Sequence, residues 1–153
     1  MLDVGVESYI SLDEADEIAK KIIENTATMI RWLELPDSEK ERKLRNACFR
    51  IESLRFSSFK HSMYQVLQFP RGMTDVVPDK VKRAQVYEAV ATLDEQRSLR
   101  RQLQEQGVKS ISIGNTSESY TDNPATTQAT ETLISKDAYV LLKPYLLGSA
   151  VMR

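Results

Sequence analysis

The stretch "VLQFPRGMTDVVPDKVKRAQVYEA", residues 66–89, decides how the chain is organised, because a punctuated loop gives way there to a helix. Pro70, Gly72 and Pro78 interrupt regular structure ahead of residues 79–106, a run that contains neither glycine nor proline. Apolar residues recur on two faces of this run. We therefore predict a long central helix that is buried on two sides, or on one side within the chain and on the other by a neighbour.

Upstream of this stretch, two segments have the features of capped amphipathic helices. Ser11 precedes an acidic first turn and Glu14 follows three residues later, a spacing typical of a capping box. Ser38 and Glu41 repeat that spacing ahead of a second apolar stripe. Between the two helices, "ENTATMIRWLELP", residues 24–36, is apolar enough to pack as a short helix or turn that ends at its proline.

Downstream of the central helix, alternating apolar and polar residues around Gly114-Asn115 predict a β-hairpin. Ser135 can cap a short last helix. The predicted fold class is mainly α: a small helical bundle with a long central helix, a β-hairpin or extended arm near residues 108–121 and a short C-terminal helix. We predict one domain over residues 1–153, with a helical core at about 9–106, a hairpin and extended segment at about 107–134, and a C-terminal helix and tail at about 135–153.

The composition excludes several classes of protein. Cys48 is the only cysteine, so a disulfide framework is impossible and synthesis in a reducing, intracellular site is expected. We find neither a signal peptide nor an apolar run that could span a bilayer, which predicts a soluble, unsecreted protein without membrane contact. With 21 basic and 22 acidic residues, the chain lacks the strong positive charge of a general DNA binder.

The sequence offers little catalytic chemistry. His61 is the single histidine and has no partner motif for nucleophilic catalysis. The acidic residues from Asp13 to Glu17 could contact a cation, but their position at a helix N-terminus accounts for them through the helix dipole. Cys48 has apolar neighbours at helical spacing, which keep a thiol protonated. No nucleotide-binding glycine motif is present. We therefore expect no enzymatic activity, no cofactor and no metal.

Charge is distributed unevenly along the chain. Residues 1–26 hold seven acids against two bases, whereas residues 39–60 hold seven bases against three acids. Solvated helix faces or internal pairing of the two helices would explain this pattern. The alternative is contact between identical subunits, acidic face to basic face, which closes into a ring if the rotation fits.

Several separated pieces of the chain occur in a recognisable order: "YISLDEADEIA", Trp32, "SEKERKLRNACFRIESLRF", Gln65 with Leu67, Phe69-Pro70-Arg71, "VPDKVKRAQVYEAVATL", "GVKSISIGNTSESY" and "LLKPYL". This order resembles the head-tail connector adaptors of long-tailed double-stranded DNA phages, which are also called head-completion or neck proteins. The resemblance runs from about Tyr9 to Leu146, and the order of the pieces carries it.

This resemblance implies a structural virion protein that is made in the host cytoplasm and located in the neck. Its subunits would form a ring of twelve-fold symmetry under the portal protein, extend the DNA channel and dock a stopper, tail-completion or tail protein. Genomic double-stranded DNA would pass through the channel without sequence-specific contacts.

Within this interpretation, four sets of residues receive roles. The structural anchor is Trp32, Phe69, Pro70 and Arg71. The subunit or portal interface is Val86, Val90, Leu93, Arg97, Arg101, Leu146, Leu147, Val151 and Met152. The hairpin contact with a partner is Ile111, Ile113, Asn115 and Tyr120. The charges that face the channel or a neighbouring subunit are Lys40, Arg42, Lys43 and Arg45. Core packing alone, or fraying of the tail, is the competing explanation for the interface set.

A second function belongs to a different class. The chain would be a small helical nucleic-acid-binding or regulatory domain that uses the basic face of residues 39–60. Salt-dependent DNA binding that is lost in the double variant Arg42→Ala with Arg45→Ala would favour this alternative.

Overall fold

The structure is a computed structural model that describes residues 1–94, 99, 103, 106, 110–113, 116–119 and 132–148. The described part is mainly helical, as the sequence predicts. Its α-helices are α1 (Leu12–Ile22), α2 (Thr26–Glu34), α3 (Asp37–Glu52), α4 (Asp79–Ala91) and α5 (Lys136–Leu142), and a 3₁₀ turn follows at Lys143–Tyr145. Strands β1 (Ser110–Ile113) and β2 (Thr116–Ser119) pair in antiparallel register, with Ile113 opposite Thr116. The predicted Gly114-Asn115 turn lies outside the described residues.

The helix starts agree with the sequence prediction at α1 but not at α3. Ser11 Oγ accepts a hydrogen bond from the Glu14 backbone N–H at 3.2 Å, as predicted. The Glu14 carboxylate, however, accepts a hydrogen bond from Lys82 Nζ at 2.7 Å and so joins α1 to α4. The predicted capping box at Ser38 is wrong, because α3 already begins at Asp37 and Pro36 is its N-cap. Proline supplies a fixed φ, here −58°, which suits a helix start without a side-chain cap.

The central helix is shorter than predicted. It begins at Asp79, as expected, but ends at Ala91 instead of near Gln106. The next backbone N–H groups bond three residues back instead of four: Leu93 N–H donates to Val90 O at 2.9 Å. Thr92 Oγ1 donates to Ala89 O at 2.6 Å, so its hydroxyl competes with the helical backbone pattern. A threonine and a tightened last turn therefore end a helix that lacks glycine and proline.

The core is built around α4, which contacts α1, α3 and α5. Both apolar faces of α4 are buried within this one chain. No neighbouring molecule is therefore needed to cover the second face. A polar group holds the N-terminal segment on this core: buried Gln85 donates to Ser8 Oγ at 2.8 Å and to Leu44 O at 3.0 Å. Gln85 Oε1 also accepts from the Tyr9 backbone N–H at 3.0 Å. Within the described residues, none of the helices is long and apolar enough to cross a membrane.

A buried ion pair joins α3, α4 and the start of α5. Glu88 is fully buried and its carboxylate accepts from Arg50 Nε at 2.6 Å. The same carboxylate accepts from the backbone N–H groups of Ile134, at 2.9 Å, and Ser135, at 2.8 Å. Ser135 in turn caps α5, as predicted, by accepting from the Ala138 N–H at 3.2 Å. Glu88 therefore fixes the place where the C-terminal segment returns to the bundle.

We predict that Glu88→Ala lowers the free energy of unfolding by about 3–5 kcal/mol, because Arg50 and two backbone donors lose their buried acceptor. Urea unfolding followed by fluorescence of the single tryptophan, Trp32, measures this loss. The matched control is Glu39→Ala, which removes a solvent-exposed pair with Arg42 and should cost less than about 1 kcal/mol. Equal losses in the two variants would contradict a central role for Glu88.

Candidate nucleic-acid interface

The basic residues of α3 are largely engaged within the chain. Lys40 is buried and donates to Asp16 Oδ2 at 2.9 Å, and the other oxygen of that carboxylate accepts from Trp32 Nε1 at 2.9 Å. Lys43 Nζ donates to Thr92 Oγ1 at 2.9 Å, and burial lowers the pKa of its ammonium group. These two lysines therefore contribute to folding contacts rather than to a free cationic surface.

The arginines of α3 are paired with acids as well. Arg45 bonds Glu7 at 2.8 Å and Glu41 at 3.4 Å. The hydrogen bond between Arg45 and Glu7 lowers the pKa of the Glu7 carboxyl and raises that of the guanidinium. Arg42 pairs with Glu39 one turn away, on the exposed side of the helix. Much of the uneven charge along the sequence is thus paired internally, one of the alternatives that the sequence left open.

The predicted interface set divides between the core and the surface. Val86, Val90 and Leu93 are 0%, 7% and 8% exposed, so this chain already buries the surface that was expected to face a neighbour. Leu146 is partly buried and Leu147 is exposed. Ile111 and Ile113 lie in β1, and only their backbone is described. The remaining members of these sets lie outside the described residues: Arg97, Arg101, Asn115, Tyr120, Val151 and Met152.

Phe69 lies at the centre of an aromatic cluster. The ring is 3% exposed and meets three other rings edge to face. The distances between ring centroids are 4.8 Å to Phe56, 5.5 Å to Tyr145 and 6.0 Å to Tyr9. The bond from Phe69 to Pro70 is cis. The cluster joins the N-terminal segment, the loop after α3 and the C-terminal segment.

Arg71 holds both ends of the loop that follows α3. Its Nε donates to Ser57 O at 2.9 Å, and one terminal nitrogen donates to the carbonyls of Phe56 and Ser58. The other terminal nitrogen donates to Gln68 O at 3.2 Å and to Gln68 Oε1 at 2.7 Å. Burial lowers the pKa of this guanidinium, although the Glu52 carboxylate acts in the opposite direction. One planar side chain thus fixes two separate stretches of backbone.

We call residues 57–73 the aromatic loop. Its two arms pair as a single antiparallel bridge between Lys60 and Arg71, with the His61 N–H donating to Pro70 O at 3.1 Å and the Gly72 N–H to Phe59 O at 2.8 Å. Successive side chains of a strand point to opposite faces. Phe59 and His61 therefore lie on one face of the arm and Lys60 lies on the other. The loop is therefore folded back on itself and hydrogen-bonded along its length.

The outer surface of the aromatic loop is unusually apolar. Phe59 is 63% exposed, Met63 84% and Tyr64 89%. Arg55, just before the loop, is exposed and makes no ion pair with any residue that the structure describes. The sequence predicts a punctuated loop here, and it assigns no site to Phe59, Met63 or Tyr64, whereas Arg55 belongs to the basic range 39–60. The available signal was the density of large apolar side chains, Phe59, Met63 and Tyr64 among them, in a segment punctuated by serine, proline and glycine.

Other features of the described residues offer less chemistry. His61 Nδ1 lies 3.2 Å from Gly72 O in an exposed position. Burial raises the pKa of the Cys48 thiol to about 12, so it stays protonated at neutral pH. Among the described residues, no group of three potential ligand residues could hold a metal ion. A cleft of about 380 Å³ beside Tyr87 is lined by Glu24, Asp94 and Asp137, and these carboxylates would repel a phosphate backbone.

The family comparison identifies one matching family. The model of a family described as "Putative DnaT-like ssDNA binding protein" matches residues 2–153. No curated protein and no solved structure shows significant similarity to the chain.

This match overturns the resemblance to phage head-tail connectors. The prediction of a connector ring is wrong. The predicted partners are wrong as well: the portal protein, neighbouring copies in a ring, tail proteins and channel DNA. The pieces that carried the resemblance are short and none contains a ligand-binding motif, so their order fits more than one helical family. The single domain, the location in a virion neck and the absence of enzymatic activity stay predictions.

Proposed function

The chain belongs to the family of DnaT-like single-stranded DNA-binding proteins, and we propose that it binds single-stranded DNA through the aromatic loop and Arg55. The observation that carries this proposal is the exposure of Phe59 and Tyr64 on a loop whose backbone is fixed by hydrogen bonds. Unpaired bases offer flat apolar faces that stack on aromatic rings, whereas paired bases in a duplex are already stacked. The proposed ligand is therefore a strand with accessible bases.

Local charge favours the same surface. Residues 55–73 contain three bases, Arg55, Lys60 and Arg71, and no acid. Arg71 is used to hold the loop, and Lys60 Nζ donates to Val66 O at 3.1 Å, which leaves Arg55 as the most accessible cation. Binding would therefore depend on stacking more than on neutralising phosphates. This expectation suits a chain whose formal net charge is −1.

The sequence offered nucleic-acid binding by the basic face of residues 39–60 as an alternative, and the structure favours only the end of that range. Residues 39–60 include the basic face of α3, but Lys40, Arg42 and Arg45 already pair with carboxylates. A strand that bound them would have to displace these partners or bind beside them. Arg55 and Lys60, at the end of the same range, lie next to the exposed aromatic rings.

We predict that Tyr64→Ala and Phe59→Ala each weaken binding to a fluorescein-labelled oligo(dT) about five- to a hundred-and-sixtyfold, since stacking contributes about 1–3 kcal/mol per base. Fluorescence anisotropy measures the change. Phe49→Ala is the matched control, because Phe49 is a 73% exposed aromatic residue on α3 outside the loop. If the loop variants bind as tightly as the wild-type protein, or if none of the proteins binds oligo(dT), the proposed function is wrong.

A second prediction concerns salt. Arg55 and Lys60 would each contact one phosphate, and two contacts, at about 0.7 each for single strands, give a slope of about −1.4 for log affinity against log salt concentration. Arg55→Ala should reduce the steepness by about half, whereas Arg42→Ala with Arg45→Ala should leave the slope close to that of the wild-type protein. The reverse order of effects would place the phosphates on α3 instead of beside the aromatic loop.

A further inference from the structure

Gln65 closes the tip of the aromatic loop with three hydrogen bonds from one side chain. Its Oε1 accepts from the Ser62 N–H at 2.9 Å. Its Nε2 donates to Leu67 O at 2.8 Å and to Pro70 O at 2.9 Å. The side chain thus joins the outgoing arm, the tip and the returning arm of the loop.

The tip that Gln65 closes is the part that presents Tyr64. The Gln65 N–H donates to Ser62 O at 3.4 Å, and the Tyr64 N–H donates to Ser62 Oγ at 3.2 Å. Met63 and Tyr64 occupy the two central positions of this turn and point into solvent. Their backbone is therefore fixed by Ser62 and Gln65, while their side chains make little contact with the protein.

We infer that Gln65 is a positioning residue for single-stranded DNA binding, an inference that rests on the proposed function. It does not contact the bases; it holds Tyr64 in place before the strand arrives. Ordering a mobile side chain or loop on binding reduces affinity, so a loop that is ordered in advance binds more tightly. Removing the Gln65 amide should therefore weaken DNA binding even though the stacking residues Phe59 and Tyr64 are still present.

Gln65 contributes little to the core. It is only partly buried, and the loop is held on the bundle by Phe69 and by the hydrogen bonds of Arg71. The carboxylate of Glu52 adds a further attachment by accepting from the Gln68 N–H at 2.9 Å. The bundle should therefore stay folded when the tip is released.

The test compares Gln65→Ala and Gln65→Glu with the wild-type protein. Glutamate has the same shape and can still accept from Ser62, but its ionised carboxylate faces the carbonyls of Leu67 and Pro70. We expect both variants to lose about tenfold in affinity for oligo(dT) at pH 7.5, by anisotropy, with an unchanged melting temperature. At pH 4.5, partial protonation of the new carboxyl restores a donor, so the Gln65→Glu variant should regain affinity relative to wild type. Normalising to wild type at each pH removes the effects of pH that the two proteins share.

A double-mutant cycle and hydrogen exchange separate positioning from a purely structural role. The losses from Gln65→Ala and Tyr64→Ala should be less than additive, because each removes the same ordered stack, whereas Gln65→Ala and Arg55→Ala should be additive. The Ser62 and Gly72 amides should exchange faster in Gln65→Ala without DNA, and the amides of α3 and α4 should not.

The outcomes distinguish the two proposals. If the wild-type protein does not bind oligo(dT), the proposed function fails and the inference fails with it. If the wild-type protein binds and the Gln65 variants bind equally well, only the inference is overturned. If the Gln65 and Tyr64 losses add fully, or if the α4 amides lose protection together with the tip, Gln65 is a structural residue and the inference is likewise overturned.

Discussion

The hydrogen bonds of the Arg71 guanidinium hold the two ends of the aromatic loop together. Five hydrogen bonds connect it to the carbonyls of residues 56–58 and to the backbone and side chain of Gln68. A lysine could not make this set of contacts, because its single ammonium lacks the planar fork that spans two backbone segments. The start and the end of the aromatic loop are thereby held side by side next to the aromatic cluster, since Arg71 Cζ lies 5.9 Å from the centroid of the Phe56 ring.

The C-terminal segment is attached to the same place. The Ser57 N–H donates to Tyr145 O at 2.8 Å, and the Leu147 N–H donates to Arg55 O at 2.9 Å. Tyr145 also contributes a ring to the cluster around Phe69. The base of the loop is therefore completed by the segment that follows α5, and Glu88 fixes the start of α5 to the bundle. The aromatic loop has little core of its own. Contacts from the N-terminal segment, the residues just after α3 and the C-terminal segment support it.

The local signals in the sequence predicted the regular elements well and the long-range contacts poorly. Ser11 and Ser135 were recognisable as caps because a cap depends on residues only three positions apart. The end of α4 was not, because Thr92 ends the helix together with a tightened turn that no glycine or proline announces. Whether Arg45 is a free cation or a partner of Glu7 depends on tertiary packing across 38 residues. Charge counts along the chain therefore indicated a basic face that the fold largely neutralises.

Because the sequence does not show long-range contacts, it also led to a wrong function, that of a phage connector. A resemblance based on the order of short helical pieces says little about which side chains reach solvent, and it pointed to the wrong family. The residues proposed for DNA binding stand out only after folding, when Phe69 is seen to be buried and Phe59 and Tyr64 to be exposed in the same loop. Phe59 lies in a paired arm of the loop and Tyr64 lies in the turn at its tip, so their exposure does not follow from a regular period in the sequence.

Chemical-shift mapping by NMR, with a short oligo(dT) titrated into the ¹⁵N-labelled protein, shows whether single-stranded DNA binds at the aromatic loop. We expect the largest perturbations on the amides of residues 55–73, with Tyr64 and its neighbours at the tip changing most. Perturbations confined to the exposed side of α3 around Arg42 and Arg45, with the loop unchanged, would contradict this expectation.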